Sequence, residues 1–243
     1  MLARAPNAID VAPGVWRFQD VFIRGGGRVS QGIMLEQLLK FFVVFFVVVE
    51  PVSLIPLFSS LTEGASTAYK HKMAVKAVLV SGAILVLFAF GGAAFLDLMG
   101  ISLEAFRIFG GLLLFLIALE MVFARESGTR TSSSEREESQ RRADISVFPL
   151  AFPFIAGPGA LATILLWFGP VRVSEQPVLF AGLILMVALV LAIALLMMWL
   201  STPLMRVLGV TGANVANRLF GVILGALAVQ FVIDGLRGSF GRF

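Results

Sequence analysis

Cysteine is absent from the 243 residues, so no disulfide, thiolate nucleophile or cysteine-held metal site can form within the chain. Histidine occurs once, as His71 between Lys70 and Lys72, a setting that fits a solvated loop residue better than a metal ligand. Charge is scarce, at 14% of residues, and gathers between apolar runs. No H-E-x-x-H, no G-x-S-x-G and no phosphate-cradling Gly-Lys-Ser/Thr loop is present. These absences argue against a membrane hydrolase or an ATP-driven pump; the expectation is no enzyme, no cofactor and no metal. The net charge of +4 does not point to nucleic acid, because the basic residues sit in short loops between apolar stretches.

What the chain does have is apolar length. Hydrophobic residues make up 58% and the mean hydropathy is +0.95, too greasy for a soluble domain and fitting for a polytopic membrane protein. Six apolar stretches appear, over Leu35–Leu61, Met73–Leu96, Phe106–Ala124, Val147–Phe168, Val178–Leu200 and Leu219–Leu236. A bilayer crossing needs roughly 20 such residues. Residues 1–33 carry scattered Pro and Gly with no long apolar core, and read as disorder or as the product of an upstream start codon, with Met34 the more natural first residue. Residues 125–146 are polar and of mixed charge, a flexible cytoplasmic linker between 34–124 and 147–243. Lys70, Lys72, Lys76, Arg125, Arg130, Arg136, Arg141, Arg142 and Arg206 fall on one set of loops. That richer side is expected to be cytoplasmic, with both termini outside.

The two parts echo each other. Glu50-Pro51 answers Gly157-Pro158, Gly100-Ile101-Ser102 answers Gly209-Val210-Thr211, and Arg107-Ile108-Phe109-Gly110 answers Arg218-Leu219-Phe220-Gly221. The separations are 107, 109 and 111 residues, one period of about 110. Three spans per half, an odd number, require the second half to enter the membrane from the opposite face. The expected fold is therefore an all-α membrane protein of six transmembrane helices in two inverted three-helix repeats.

The first and fourth of these helices are expected to be broken at Pro and Gly. Proline removes an amide donor and glycine loosens the backbone, and in lipid such a break needs protein or water to satisfy it. Pro51 and Pro158 would open half-helices over Val52–Leu61 and Gly159–Phe168, whose free amides attract a carboxylate. Carbonyls just before each break suit an ammonium or a cation, and Ser53 and Thr163 would add hydroxyls. Glu50 is the one acid well inside an apolar run, a candidate for binding an ammonium, for proton coupling, or for holding the break open. Asp97, Glu120 and Asp234 lie nearer span ends, where structural or snorkelling roles are expected. Gly110-Gly111 and the Gly221/Gly225 pair suggest close helix packing.

The segments VEPVSLIPLFSSLT, GISLEAFRIFGG, FPLAFPFIAGPGALAT and NRLFGVILGALAVQFVIDG together resemble the MarC family of integral membrane proteins, from about Leu38 to Leu236. That family includes the SnatA-type neutral amino acid transporters. The resemblance implies a multi-pass protein of the bacterial inner membrane with a periplasmic C-terminus. It also implies export or exchange of small neutral amino acids, linked to protons. Carried over by position, the substrate site would comprise Glu50, Pro51, Ser53, Pro56, Gly157, Pro158, Gly159 and Thr163. Members usually carry Asn or Asp before the first proline and Gly two residues after it; here Glu50 and Ser53 stand at those places. The alternative is a non-transporting membrane scaffold or assembly partner. A channel is disfavoured by the single short carboxylate-bearing break.

Overall fold

A chain that spans hydrocarbon must satisfy its own backbone, and helix does so residue by residue. The computed structural model describes residues 31–123 and 144–240. All but the last three residues of the N-terminal extension, and most of the polar linker, lie outside the described residues. The elements are α1 (Gln31–Val49), α2 (Leu54–Leu61), α3 (Thr67–Leu98), α4 (Leu103–Phe123), α5 (Ser146–Ile155), α6 (Pro158–Phe168), α7 (Pro177–Trp199) and α8 (Ser201–Phe240). Five helical runs are long and apolar enough to cross a bilayer, and six if the α5–α6 pair, bent by 54°, counts as one span. Large apolar side chains such as Leu79, Leu87, Leu116, Leu185 and Val222 are exposed on the outer faces, as lipid contact requires.

Local sequence explains most helix ends. Ser66 caps α3, its side chain accepting from the Tyr69 amide. Gly100 closes the same helix at φ +69°, where the Ile101 amide reaches back to the Leu96 carbonyl at 2.9 Å. Two residues later the Ser102 hydroxyl accepts from the Ala105 amide at 3.1 Å and starts α4. His71, expected in a loop, instead lies in the first turns of α3 and stacks on Trp199 at 5.2 Å between ring centroids. The capping serine sets the helix start upstream of it.

The second half does not repeat this turn. The stretch expected to connect the fifth and sixth spans is helical, because α8 begins at Ser201 and continues unbroken to Phe240. Glycine weakens a helix by about 1 kcal/mol, whereas only proline removes a hydrogen bond outright. Pro203, the one proline of α8, sits in its first turn, where amides have no helical acceptor anyway. Gly209 and Gly212 therefore pass within the helix. At about 1.5 Å per residue such a helix is far longer than the roughly 30 Å of hydrocarbon, and its span is Asn214–Phe240.

Packing follows the small residues. A Cβ on Gly111 would lie 2.8 Å from the Ala228 carbonyl oxygen, one on Gly221 2.8 Å from Met121 Cβ, and one on Gly235 3.0 Å from the Glu104 carbonyl oxygen. As the α4 number rises the α8 number falls, so these two helices run antiparallel with backbones in close approach. The same descending register relates α3 to α7, through Gly82 with Leu191 and Phe90 with Phe180. It also relates α1 to α6, through Phe41 with Trp167 and Val48 with Gly159.

Candidate functional site

The first interruption lies between α1 and α2. Glu50 stands at φ +52°, the left-handed region that a residue with a Cβ enters only at a cost. Its amide still bonds the Phe46 carbonyl at 3.0 Å, and its carbonyl accepts from Ser53 at 3.0 Å. Pro51 has no amide to offer Val47, and the Ser53 amide is turned to Glu50 rather than to Val49. The carbonyls of Val47 and Val49 thus lose the donors of an unbroken helix. Glu50 is 3% exposed, so its carboxyl faces protein and not lipid. Pro51 does not open the following helix as expected: it sits in the turn, and Ser53 is the residue that precedes α2. The Glu50 carbonyl captures the Ser53 amide and delays the helix to Leu54. Pro56, half-buried, lies in the first turn of α2.

The second interruption has a different shape. Pro149 and Pro153 lie inside α5, which is kinked where Phe148 and Phe152 take extended backbone, while the Leu150 amide reaches Ile145 and the Ala156 amide reaches Ala151, five residues back in each case. Gly157 then breaks the chain direction with an extended ψ of 173°. A Cβ there would meet the Pro153 carbonyl oxygen at 2.1 Å, so only glycine fits. Pro158 occupies the first turn of α6, and no side chain caps that helix. Pro158 has no amide, and those of Gly159 and Ala160 are left at the positive end of the helix.

The two interruptions touch. Gly159 is buried, and a Cβ on it would lie 2.5 Å from Leu114 Cδ2 and 3.4 Å from Val48 Cγ1. Glu50, Gly157, Pro158 and Gly159 are thereby gathered around the contact of α1 with α6. Thr163 belongs to the same helix, but its hydroxyl donates to the Gly159 carbonyl at 2.9 Å and is turned along its own helix. Ser53 points elsewhere: its hydroxyl donates to Asn217 Oδ1 on α8 at 2.6 Å. Asn217 was not legible as a site residue, since an amide beside Arg218 in a supposed loop gives no signal until the helix is known.

The acids near span ends separate. Asp97 is exposed and Glu120 half-buried, but Asp234 is 4% exposed and turned inward, which leaves the structural and not the snorkelling role of the two expected. Gly235 presses this turn of α8 against Glu104 and Ile108 of α4, which puts the neighbouring carboxyl inside.

The family's sequence profile, described as MarC family integral membrane protein, matches residues 35–240. The chain belongs to the MarC family. Among its relatives, the UPF0056 membrane protein YhcE of Escherichia coli is 36% identical over 201 residues, spanning 83% of this chain and 92% of that protein. YvbG of Bacillus subtilis is 35% identical over 210 residues, spanning 86% and 98%. A UPF0056 membrane protein of Aquifex aeolicus is 37% identical over 198 residues, spanning 82% and 91%. No solved structure matches the chain. A multi-pass integral membrane protein of the MarC family is thus the identity established for it; the names of these relatives carry no substrate.

Proposed function

We propose that this MarC family member is a secondary transporter of small neutral amino acids, with its substrate held where the two interruptions meet. The observation that carries the reading is the contact of Gly159 with Val48, which brings the uncapped start of α6 to the turn that holds a buried acid. A zwitterion needs a positive end and a negative end a few ångströms apart. The amides of Gly159 and Ala160 take the carboxylate; the Glu50 carboxyl and the bare Val47 and Val49 carbonyls take the ammonium. Tight apolar packing from Leu114 and Val48 limits the side chain to glycine- or alanine-like size.

Alternating access would come from two inverted three-helix repeats rocking around that site. Support for this arrangement comes from the antiparallel register of α1 with α6, α3 with α7 and α4 with α8. The α3–α7 and α4–α8 pairs join elements that the sequence repeat makes equivalent, while α1 meets the second half-helix of the other repeat's broken span. The chain would lie in the bacterial inner membrane with a periplasmic C-terminus and with Lys70, Lys72 and Arg206 facing the cytoplasm.

Counterflow in proteoliposomes tests the reading. Vesicles loaded with unlabelled alanine or glycine should transiently accumulate the labelled amino acid, and folded protein that accumulates none across a panel of neutral amino acids would overturn it. Glu50→Gln should raise the half-saturating concentration by about tenfold or more, the effect of removing one charged hydrogen-bonding partner. An unchanged value would remove Glu50 from the site.

A further inference from the structure

Asp234 is a buried acid for which the substrate site has no use. Its Oδ1 accepts a hydrogen bond from Gln230 Nε2 at 2.8 Å, while Oδ2 is buried and receives none among the described residues. An ionised carboxylate ordinarily accepts several hydrogen bonds, and one that holds a single donor inside a membrane span is poorly solvated. The charged groups near it are the Arg107 guanidinium on α4 and the Arg237 guanidinium one turn along α8. Glu104 of α4 in turn faces Arg107. No ion pair within 4.0 Å joins Asp234 to either arginine. Of the other helices packed against α8, α2 and α7 carry no charged residue, and Glu36 and Lys40 of α1 are not among the groups near Asp234. The carboxyl therefore lies buried in the α4–α8 seam with one oxygen held by Gln230 and the other unsatisfied among the described residues.

We propose that Asp234 is the proton-binding site of this protein, a carboxyl on the α4–α8 interface distinct from the Glu50 site. The inference rests on the transporter reading for its role in coupling, though proton binding itself does not. The step is Asp234 carboxylate plus a proton from water giving the neutral carboxyl, reversed when the α4–α8 contact changes. One carboxyl cannot hold a substrate ammonium and a transported proton together, and a division of labour between Glu50 and Asp234 removes that conflict. Loss of the anion on protonation weakens the pull on Arg107, which couples the proton to the close-packed glycine seam of Gly111, Gly221 and Gly235.

The test uses the full chain in proteoliposomes with labelled alanine as the probe. Asp234→Asn should lose accumulation driven by a pH gradient, and the counterflow that remains should no longer vary with pH; Asp234→Glu should restore both in part. Infrared difference spectra between acid and neutral samples should show the high-frequency band of a desolvated protonated carboxyl, apart from that of exposed acids, in the parent protein and in Glu50→Gln, absent from Asp234→Asn. Gradient-driven accumulation by Asp234→Asn, or a carboxyl band that survives in it, would overturn the proposal. Should Asp234→Asn not fold, Gln230→Leu, which removes the one donor to Oδ1 among the described residues, should move the band to higher pH, and an unmoved band would overturn it equally. A parent protein without counterflow of any neutral amino acid would sink the transporter reading, while the infrared band would still decide whether Asp234 takes the proton.

Discussion

Gly111 has no room for a side chain, since its missing Cβ would sit 2.8 Å from the Ala228 carbonyl oxygen and 3.0 Å from the Val232 amide nitrogen. Those are backbone atoms and cannot swing aside. Gly111→Val should therefore cost about 1–3 kcal/mol, the usual penalty for overpacking, visible as a lower Tm of the purified protein. Gly225, by contrast, leaves 3.5 Å to Ala118 Cβ, and Gly225→Ala should leave the Tm almost unchanged. Asp144 offers a second residue-scale test. Hydrogen bonds from Lys76 and from the Ser146 hydroxyl and amide hold its carboxyl at about 2, below the ordinary 3.8. A lowered pKa means that its stabilisation is complete above 3.8 and disappears as the pH falls through about 2. Asp144→Asn should thus be less stable than the parent at neutral pH, and the gap should close across that acid window. The carboxyl is partly exposed, so screening by solvent keeps the effect modest.

At the scale of elements, the two interruptions share a sequence logic but not a geometry. Pro158 and Gly157 behave as local chemistry dictates, a proline opening a helix after a glycine that alone can pass Pro153. Pro51 does not, because Glu50 takes the left-handed conformation and hands its carbonyl to Ser53. Asn and Asp enter that region several-fold more readily than longer side chains, so Glu50 holds it at a greater cost. The form of α5 was not legible: prolines announce a break, but not that Phe148 and Phe152 will be extended while amides beside them reach five residues back. The helical run through Gly209 and Gly212 was not legible either. An identical Gly-x-Ser/Thr pattern ends α3 at Gly100, and the choice between turn and helix depends on where the preceding helix stops.

For the whole molecule, the absence of cysteine becomes an experimental advantage, because any introduced thiol is unique. Lys72→Cys and Arg206→Cys should be shielded from a membrane-impermeant maleimide in intact cells and react in inverted vesicles. Arg172→Cys and Glu175→Cys, on the connection between α6 and α7, should do the reverse. Reaction of both sets from the same side would contradict the proposed inverted repeats. Either outcome is readable without knowledge of the substrate.

The sequence alone determined the membrane class, the number of apolar stretches, the family and the positions of the glycines and prolines that matter. Each is a property of composition or of short-range chemistry, and apolar length needs no partner to declare itself. Tertiary structure decided which of these residues meet. Ser53 finds Asn217 across 164 positions of sequence, Gly159 lies against Val48, and Asp234 turns inward where its place near a span end had suggested the interface. Such outcomes depend on the rotation of one helix about its axis relative to another, set here by glycine contacts between α4 and α8, and no local pattern encodes that angle.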